Sequence, residues 1–186
     1  MKNVLDNAVE DLARLLPSIT AMAPEMDRLG HAMLDCWSKG GKLLVAGNGG
    51  SAADAMHLAE ELIARFLKNR RALAAIALCD PTVITCAAND FGFDRIFSRQ
   101  VEALGNPGDL LVVFTTSGNS KNILAAISAA KARNLTTDAF LGKDGGQAKG
   151  LCDFEFIAPS QLPHRIQEVH QILYHALCEW IDQRVD

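Results

Sequence analysis

Short apolar runs alternate with helical patterns along most of the chain. The apolar runs lie at residues 42–46, 73–78, 110–114, 137–141 and 154–157, and each has the length of a buried strand. Between them, apolar residues recur every three or four positions, which is typical of helices packed on a core; these segments span 51–66, 94–104, 119–133 and 163–184. The alternation predicts a three-layer α/β fold, with a five-stranded parallel sheet between two layers of helices.

The first 38 residues precede this alternation and have a helical pattern of their own. Two sets of apolar residues recur at helical spacing: Val9, Leu12, Leu15 and Leu16, then Met26, Leu29, Met33 and Trp37. Because Pro24 and the neighbouring turn separate the two sets, we predict two helices. No linker composition follows them, so we expect residues 1–38 to extend the same compact unit as the α/β domain at 39–186.

Composition narrows the class of protein. The chain has 186 residues, 49% of them hydrophobic and 22% charged, as in an ordinary globular protein with a sizeable core. The formal net charge of −4 argues against nucleic acid as a partner. No stretch approaches the roughly 20 apolar residues that cross a bilayer, and the N-terminus lacks a signal-peptide pattern. We therefore expect no membrane partner.

The five cysteines are odd in number and scattered, and no two form a CxxC pair. Most lie in apolar runs, where a free thiol behaves as a small hydrophobic residue. This pattern favours a reducing, cytoplasmic setting over a disulfide framework or a cysteine zinc site.

A glycine-rich turn follows the first predicted strand. Its sequence, Gly47-Asn48-Gly49-Gly50-Ser51, lets the backbone approach a ligand closely, and the following helix offers unpaired N–H groups to an anion. The sixth position of a dinucleotide fingerprint is Ala52 here, and the lysine of a Walker motif is missing. The turn therefore predicts a site for a smaller anion.

A second polar turn follows the strand at 110–114. It carries four hydroxyl side chains, those of Thr115, Thr116, Ser117 and Ser120, which could surround a phosphate with neutral donors. Hydroxyl residues also commonly cap helices, so either turn alone is as consistent with capping as with phosphate binding. Two such turns in one sheet favour phosphate, because ligands gather where the carboxyl ends of strands face a crevice.

Groups suited to acid–base or metal chemistry lie on two predicted helices. His57 and Glu61 are four residues apart, about 40° around the axis, and so share a helix face. An isolated pair of this kind is usually a solvated surface couple. On the last helix, Gln167 lies roughly 60° from His170 and roughly 80° from His175, and spacing alone does not choose between the two histidines.

Imidazole, carboxylate and amide groups together suit zinc or another divalent ion. The same groups could move protons, with a glutamate as base and a histidine as its acid partner. Aldose–ketose isomerisation needs such a pair, because a proton must leave one sugar carbon and return to its neighbour. Charge on the enediol oxygens would be stabilised by a metal ion or a histidine.

Taken together, these motifs resemble the phosphoheptose isomerases of the sugar isomerase (SIS) domain superfamily. The resemblance rests on 47–51, on 57–61, on Ala88-Asn89-Asp90-Phe91-Gly92, on 116–120, on Gly142-Lys143-Asp144-Gly145-Gly146 and on 165–168. It covers nearly the whole chain. It implies a flavodoxin-like sheet, a homotetramer with sites between subunits, and conversion of sedoheptulose 7-phosphate to D-glycero-D-manno-heptose 7-phosphate, the first step towards bacterial heptose and lipopolysaccharide core.

The resemblance also implies roles for individual residues. The zinc ligands would be His57, Glu61, Gln167 and His175, with Glu61 and His175 as the catalytic acid–base pair, which leaves His170 in a supporting or interface role. Contacts to the sugar phosphate would come from Asn48, Gly49, Gly50, Ser51, Glu61, Asn89, Asp90, Thr115, Thr116, Ser117, Ser120 and Gln167. Thr115 departs from the serine usual in the family but keeps the hydroxyl.

Two other functions are alternatives to catalysis. Ala52-Ala53 also occurs in a non-catalytic SIS branch that binds the bacterial replication initiator. That branch typically lacks the groups at the positions of Glu61 and His175, and this chain keeps both, which favours the enzyme. A sugar-phosphate-sensing regulator would usually carry a DNA-binding domain, and residues 1–38 show no basic recognition helix.

Overall fold

The computed structural model describes residues 2–186, which form seven α-helices around one parallel sheet. The helices are α1 Lys2–Thr20, α2 Ala23–Ser38, α3 Gly50–Ile63, α4 Pro81–Phe91, α5 Ser98–Leu104, α6 Lys121–Ala132 and α7 Pro163–Asp182. The strands are β1 Leu43–Gly47, β2 Ala75–Ala77, β3 Leu110–Thr115, β4 Thr136–Gly142 and β5 Phe154–Ala158. Short 3₁₀ turns lie at Phe93–Arg95 and Gly146–Ala148.

All strand pairs are parallel, in the order β2-β1-β3-β4-β5. This is the flavodoxin-like order, so the predicted fold class is confirmed. The chain leaves β1 towards one edge to form β2 and returns to the other side as β3. The carboxyl ends of β1 and β3 therefore flank the crevice where ligands bind in such sheets.

Two hydrophobic clusters cover the two faces of the sheet, which explains why its central strands are continuous apolar runs. Every residue of β1 and β3 is buried, whereas β5, at the edge, alternates between buried and half-buried positions. On one face, α1 and α2 pack against α7, with Leu29 and Met33 fully buried. The indole of Trp37 then donates to the carbonyl of Ala74 at 3.0 Å and joins α2 to the sheet edge.

The structure differs from the sequence prediction in several local details. Helix α4 was not predicted, because Ala87 is its only buried residue and leaves little periodicity. Asp80 caps this helix by accepting the N–H groups of Thr82 and Val83. The predicted helix at 94–104 is a 3₁₀ turn followed by α5, and β2 has only three residues. Pro24 lies in the first turn of α2, so the break between the first two helices falls just before it, at 21–22.

Within residues 2–186, none of the helices combines the length and the apolar character needed to cross a membrane.

Candidate functional site

The first turn connects β1 to α3 in a backbone path that requires glycine. Gly49 precedes the helix with φ 58°, a left-handed conformation that favours glycine. A side chain at Gly47 would collide with the backbone of Ser51, and one at Gly50 would collide with the amide of Gln167. The N-terminus of α3 therefore comes close to Gln167 on α7.

The second turn connects β3 to α6 and is stabilised by its own hydroxyl groups. Thr115 is the last residue of β3, and its Oγ1 accepts the N–H of Gly118 at 3.2 Å. The Oγ of Ser117 accepts the N–H of Asn119 at 3.2 Å. Two of the four predicted phosphate donors thus also accept backbone hydrogen bonds that hold the turn in shape.

Between the two turns lies a small polar cleft of about 70 Å³. Its lining comprises Asn48, Ser51, Phe114, Thr115, Thr116, Ser120 and Gln167. The lining contains no lysine or arginine, so a bound phosphate would be held by neutral donors and by the N-termini of α3 and α6.

A reciprocal amide pair fixes one wall of this cleft. The Nδ2 of Asn48 donates to Oδ1 of Asn122, and the Nδ2 of Asn122 donates back to Oδ1 of Asn48, each at 2.9 Å. Asn122 is buried, so its partner is held in one orientation. Sequence reasoning missed Asn122; its position two residues after Ser120, in the first turn of a helix, was the available signal.

Further along α3 and α7, the two helices that contribute Ser51 and Gln167 to the cleft, the side chains of His57, Glu61 and His175 converge. One ligand atom from each lies within 4.8 Å of the other two. The Nε2 of His57 is 3.1 Å from Oε1 of Glu61, and the imidazole rings of His57 and His175 are 5.0 Å apart between centroids. Ligand atoms around a tetrahedral zinc ion lie about 3.3 Å apart, given bonds of about 2.0 Å, so small side-chain rotations would let these three groups share one ion.

Tyr174, which was also not predicted from the sequence, orients His57 by contacting the ring nitrogen that does not face Glu61. Its hydroxyl is 2.9 Å from Nδ1 of His57. A hydroxyl can both donate and accept, so it can satisfy either tautomer of the ring, including the one that leaves Nε2 free to bind a metal. Burial raises the pKa of Tyr174, which keeps its hydroxyl protonated. Its position one residue before His175 was the only signal in the sequence.

His175 is held between Tyr174 and Phe66, whose ring stacks on the imidazole with centroids 5.7 Å apart. Burial lowers the pKa of His175, the proximity of His57 lowers it further, and Glu61 opposes both. The ring is therefore mostly neutral near pH 7, the state required of a metal ligand or a proton acceptor.

His170 has a different environment. It is fully buried, its Nε2 is 2.9 Å from the carbonyl oxygen of Leu141, and burial lowers its pKa to about 4. The neutral ring donates to that carbonyl and joins α7 to β4. The structure therefore separates the two histidines that spacing left equivalent, with His175 beside His57 and His170 in the core.

The structure does not bring all the predicted phosphate contacts together. Asn89 and Asp90 lie at the end of α4, exposed and hydrogen-bonded to each other at 2.7 Å, and neither lines the cleft. Gly50, by contrast, lies directly beside the Gln167 amide, and Ser117 is in the turn that bounds the cleft. The roles of these residues in phosphate binding stay predictions.

Comparisons with known proteins agree with this architecture. A model of the SIS domain matches residues 9–142. The phosphoheptose isomerase of Fusobacterium nucleatum is 48% identical over 159 residues, which are 86% of this chain and 82% of that protein. That of Paramagnetospirillum magneticum is 47% identical over 180 residues, 96% of this chain and 94% of that protein. Among solved structures, a phosphoheptose isomerase from Francisella tularensis superposes with a TM-score of 0.94 at 37% identity, covering 98% of both chains.

Proposed function

Since the chain belongs to the phosphoheptose isomerases, a family of SIS-domain proteins, we propose that it converts sedoheptulose 7-phosphate to D-glycero-D-manno-heptose 7-phosphate. The observation that carries the proposal is the convergence of a carboxylate and two imidazoles on α3 and α7, the same helices that contribute to a small polar cleft. In a bacterium this reaction would be the first step towards heptose and lipopolysaccharide core. The high identity over nearly the whole chain favours this function over binding of the replication initiator.

In the proposed mechanism the cleft binds the phosphate, and side chains on α3 and α7 transfer the protons. Glu61 takes the proton from the carbon next to the carbonyl and returns it to the neighbouring carbon through an enediol. His175 moves protons at the two oxygens. The Nε2 of His57 lies 3.1 Å from Oε1 of Glu61, so the two groups act at the same place.

The same groups fit a divalent ion. We propose that His57, Glu61, Gln167 and His175 hold one Zn²⁺, and the converging ligand atoms of three of these residues support the proposal. The chemistry that such an ion supplies is electrostatic stabilisation of charge on the substrate oxygens. Elemental analysis of the purified protein and activity after exhaustive chelation test this; full activity without any metal would contradict it.

We also propose a homotetramer with sites completed between subunits. Apolar side chains on the outer face of α1 are exposed, among them Leu5, Val9 and Leu16, and an apolar groove of about 490 Å³ lies between the first two helices and α7. Asn89 and Asp90 could then reach the cleft of a neighbouring copy. Light scattering after gel filtration measures the mass; a 20.1 kDa species that is fully active would contradict the proposal.

We further propose a cytoplasmic location, supported by five cysteines that are all free in the structure.

One assay decides the activity. Purified protein is incubated with sedoheptulose 7-phosphate, and formation of the aldose is followed by NMR. No aldose from correctly folded, metal-loaded protein would reject the proposed function.

A further inference from the structure

A buried ion pair lies where α3 and α7 end. The Nε of Arg70 is 2.7 Å from Oδ1 of Asp182, and the two side chains are only 1% and 4% exposed. Asp182 is the last residue of α7, and Arg70 lies in the irregular segment that follows α3. Removing one partner would leave a buried charge without compensation, so the pair is a fixed element of the fold.

Besides the carbonyl of Arg71, the guanidinium of Arg70 donates to two carbonyls at the end of α3. Its Nη2 donates to the carbonyl of Glu61 at 2.7 Å, and its Nη1 donates to the carbonyl of Leu62 at 2.9 Å. These carbonyls belong to the last helical turn, which has no basic residue of its own. Arg70 therefore does what a C-terminal cap would do, and it acts on the residue whose side chain is the proposed base.

Asp182 holds the irregular segment that follows α3 through hydrogen bonds to its backbone. Its Oδ2 accepts the N–H groups of Leu67 at 2.8 Å and Lys68 at 3.2 Å. The preceding residue, Phe66, stacks on His175. The ion pair therefore holds the backbone of Glu61 through Arg70 and the aromatic support of His175 through Asp182.

From this geometry we infer that Arg70 and Asp182 are positioning residues, which set the placement of Glu61 on α3 relative to His175 on α7. Neither residue is part of the cleft lining. The inference rests on the proposed function, because it concerns the acid–base pair of that reaction. Loss of the Arg70–Asp182 ion pair, which we call the clamp, should lower kcat, since a displacement of about 1 Å between reacting groups can cost about 10²-fold in rate.

The chain contains a matched control in a different ion pair, in the loop that precedes β3. Asp109 precedes β3 and binds Lys42 Nζ at 2.6 Å, and it accepts the backbone N–H groups of Lys42 at 2.9 Å and Asn106 at 2.8 Å. Its side chain is 3% exposed. Like Asp182, it binds one cation and two backbone N–H groups, but these bonds join the segments that precede β1 and β3, and none of them involves α3 or α7.

The experiment compares D182N and R70K with D109N. Each protein is loaded with Zn²⁺ and assayed with sedoheptulose 7-phosphate well below the Tm of the least stable variant. We expect D182N and R70K to lower kcat at least about 10-fold with KM within about twofold, and D109N to lose stability while kcat stays within about twofold. If D182N and R70K lower kcat no more than D109N, the clamp has no positioning role. Should R70K not fold, D182N decides alone.

A second measurement separates this inference from the proposed function. In protein labelled with ¹⁵N-histidine, D182N and R70K should shift the imidazole resonances of His57 and His175 and leave that of His164, at the other end of α7, unchanged. D109N should shift none of them. Unmoved His57 and His175 resonances in D182N would overturn the inference even if the wild-type protein is an isomerase. Their movement would support it even if the substrate is a different sugar phosphate.

Discussion

The contact between Gly50 and Gln167 offers a sharp test of the site, because one added methyl group would displace one amide. A Cβ at Gly50 would lie 2.9 Å from Cδ and 3.0 Å from Oε1 of Gln167, and closer still to Nε2. Ordinary contacts of a Cβ begin near 3.4 Å. In Gly50→Ala the amide must therefore move by about 0.5 to 1 Å, a displacement that positioned catalytic groups tolerate poorly.

The stability of Gly50→Ala should change little. Gly50 is the first residue of α3 and is not among the glycines with positive φ, so alanine fits its backbone and gains up to about 1 kcal/mol in helix propensity. The end of the Gln167 side chain is flexible and can move aside. We expect a free energy of unfolding within about 1 kcal/mol of the wild type, measured by urea titration, and a kcat/KM lower by about 10- to 100-fold.

A double-mutant cycle identifies the cause of that loss. If the methyl group acts only by displacing the amide, Gly50→Ala should cost less than about twofold in a protein that already carries Gln167→Ala. An equal loss in both backgrounds would show that the methyl group acts on the anion site itself. Full activity of the single variant Gly50→Ala would refute the reasoning, because the amide would then tolerate the shift.

Three further predictions follow from individual side chains. Glu61→Gln should lower kcat by at least about 10²-fold while inorganic phosphate still binds with a Kd within about threefold, by calorimetry; an active variant would reject Glu61 as the base. Tyr174→Phe should weaken Zn²⁺ binding by about 10- to 100-fold in a competition titration with a chelator, because His57 loses the partner of Nδ1; unchanged affinity would contradict this. Burial lowers the pKa of His170 to about 4, below its unfolded value near 6.5, so its contribution to stability is complete above pH 6.5 and is lost as the pH falls towards 4. Between pH 7 and pH 5 the unfolding free energy should fall about 2 kcal/mol more in the wild type than in His170→Gln, and equal losses would contradict the assignment.

Much of the site could be predicted because its parts are local in the sequence. The glycines of the first turn and the hydroxyls of the second each follow an apolar strand, and His57 and Glu61 lie one helical turn apart. Parallel strands place such turns at the same edge of the sheet. Helix α4 escaped prediction because it lies on the surface, with one buried residue and therefore little apolar periodicity.

The partners that act over long sequence distances could not be predicted. Tyr174 meets His57 across 117 residues, and Arg70 meets Asp182 across 112. The identity of a polar residue and of its neighbours in the chain does not show which distant group the side chain will face, because that depends on how the two elements pack.

The sequence by itself determined the alternation of strands and helices, the two polar turns and the candidate acid–base groups, because these depend on local periodicity and on residue chemistry. Helical spacing did not decide between His170 and His175; the family resemblance favoured His175, and the tertiary structure shows the physical reason. Helical spacing gave each a similar angle to Gln167, but the packing of α7 on the sheet buries His170 against Leu141 and leaves His175 beside His57. The choice depended on which face of α7 meets the core, and that is a property of the whole fold.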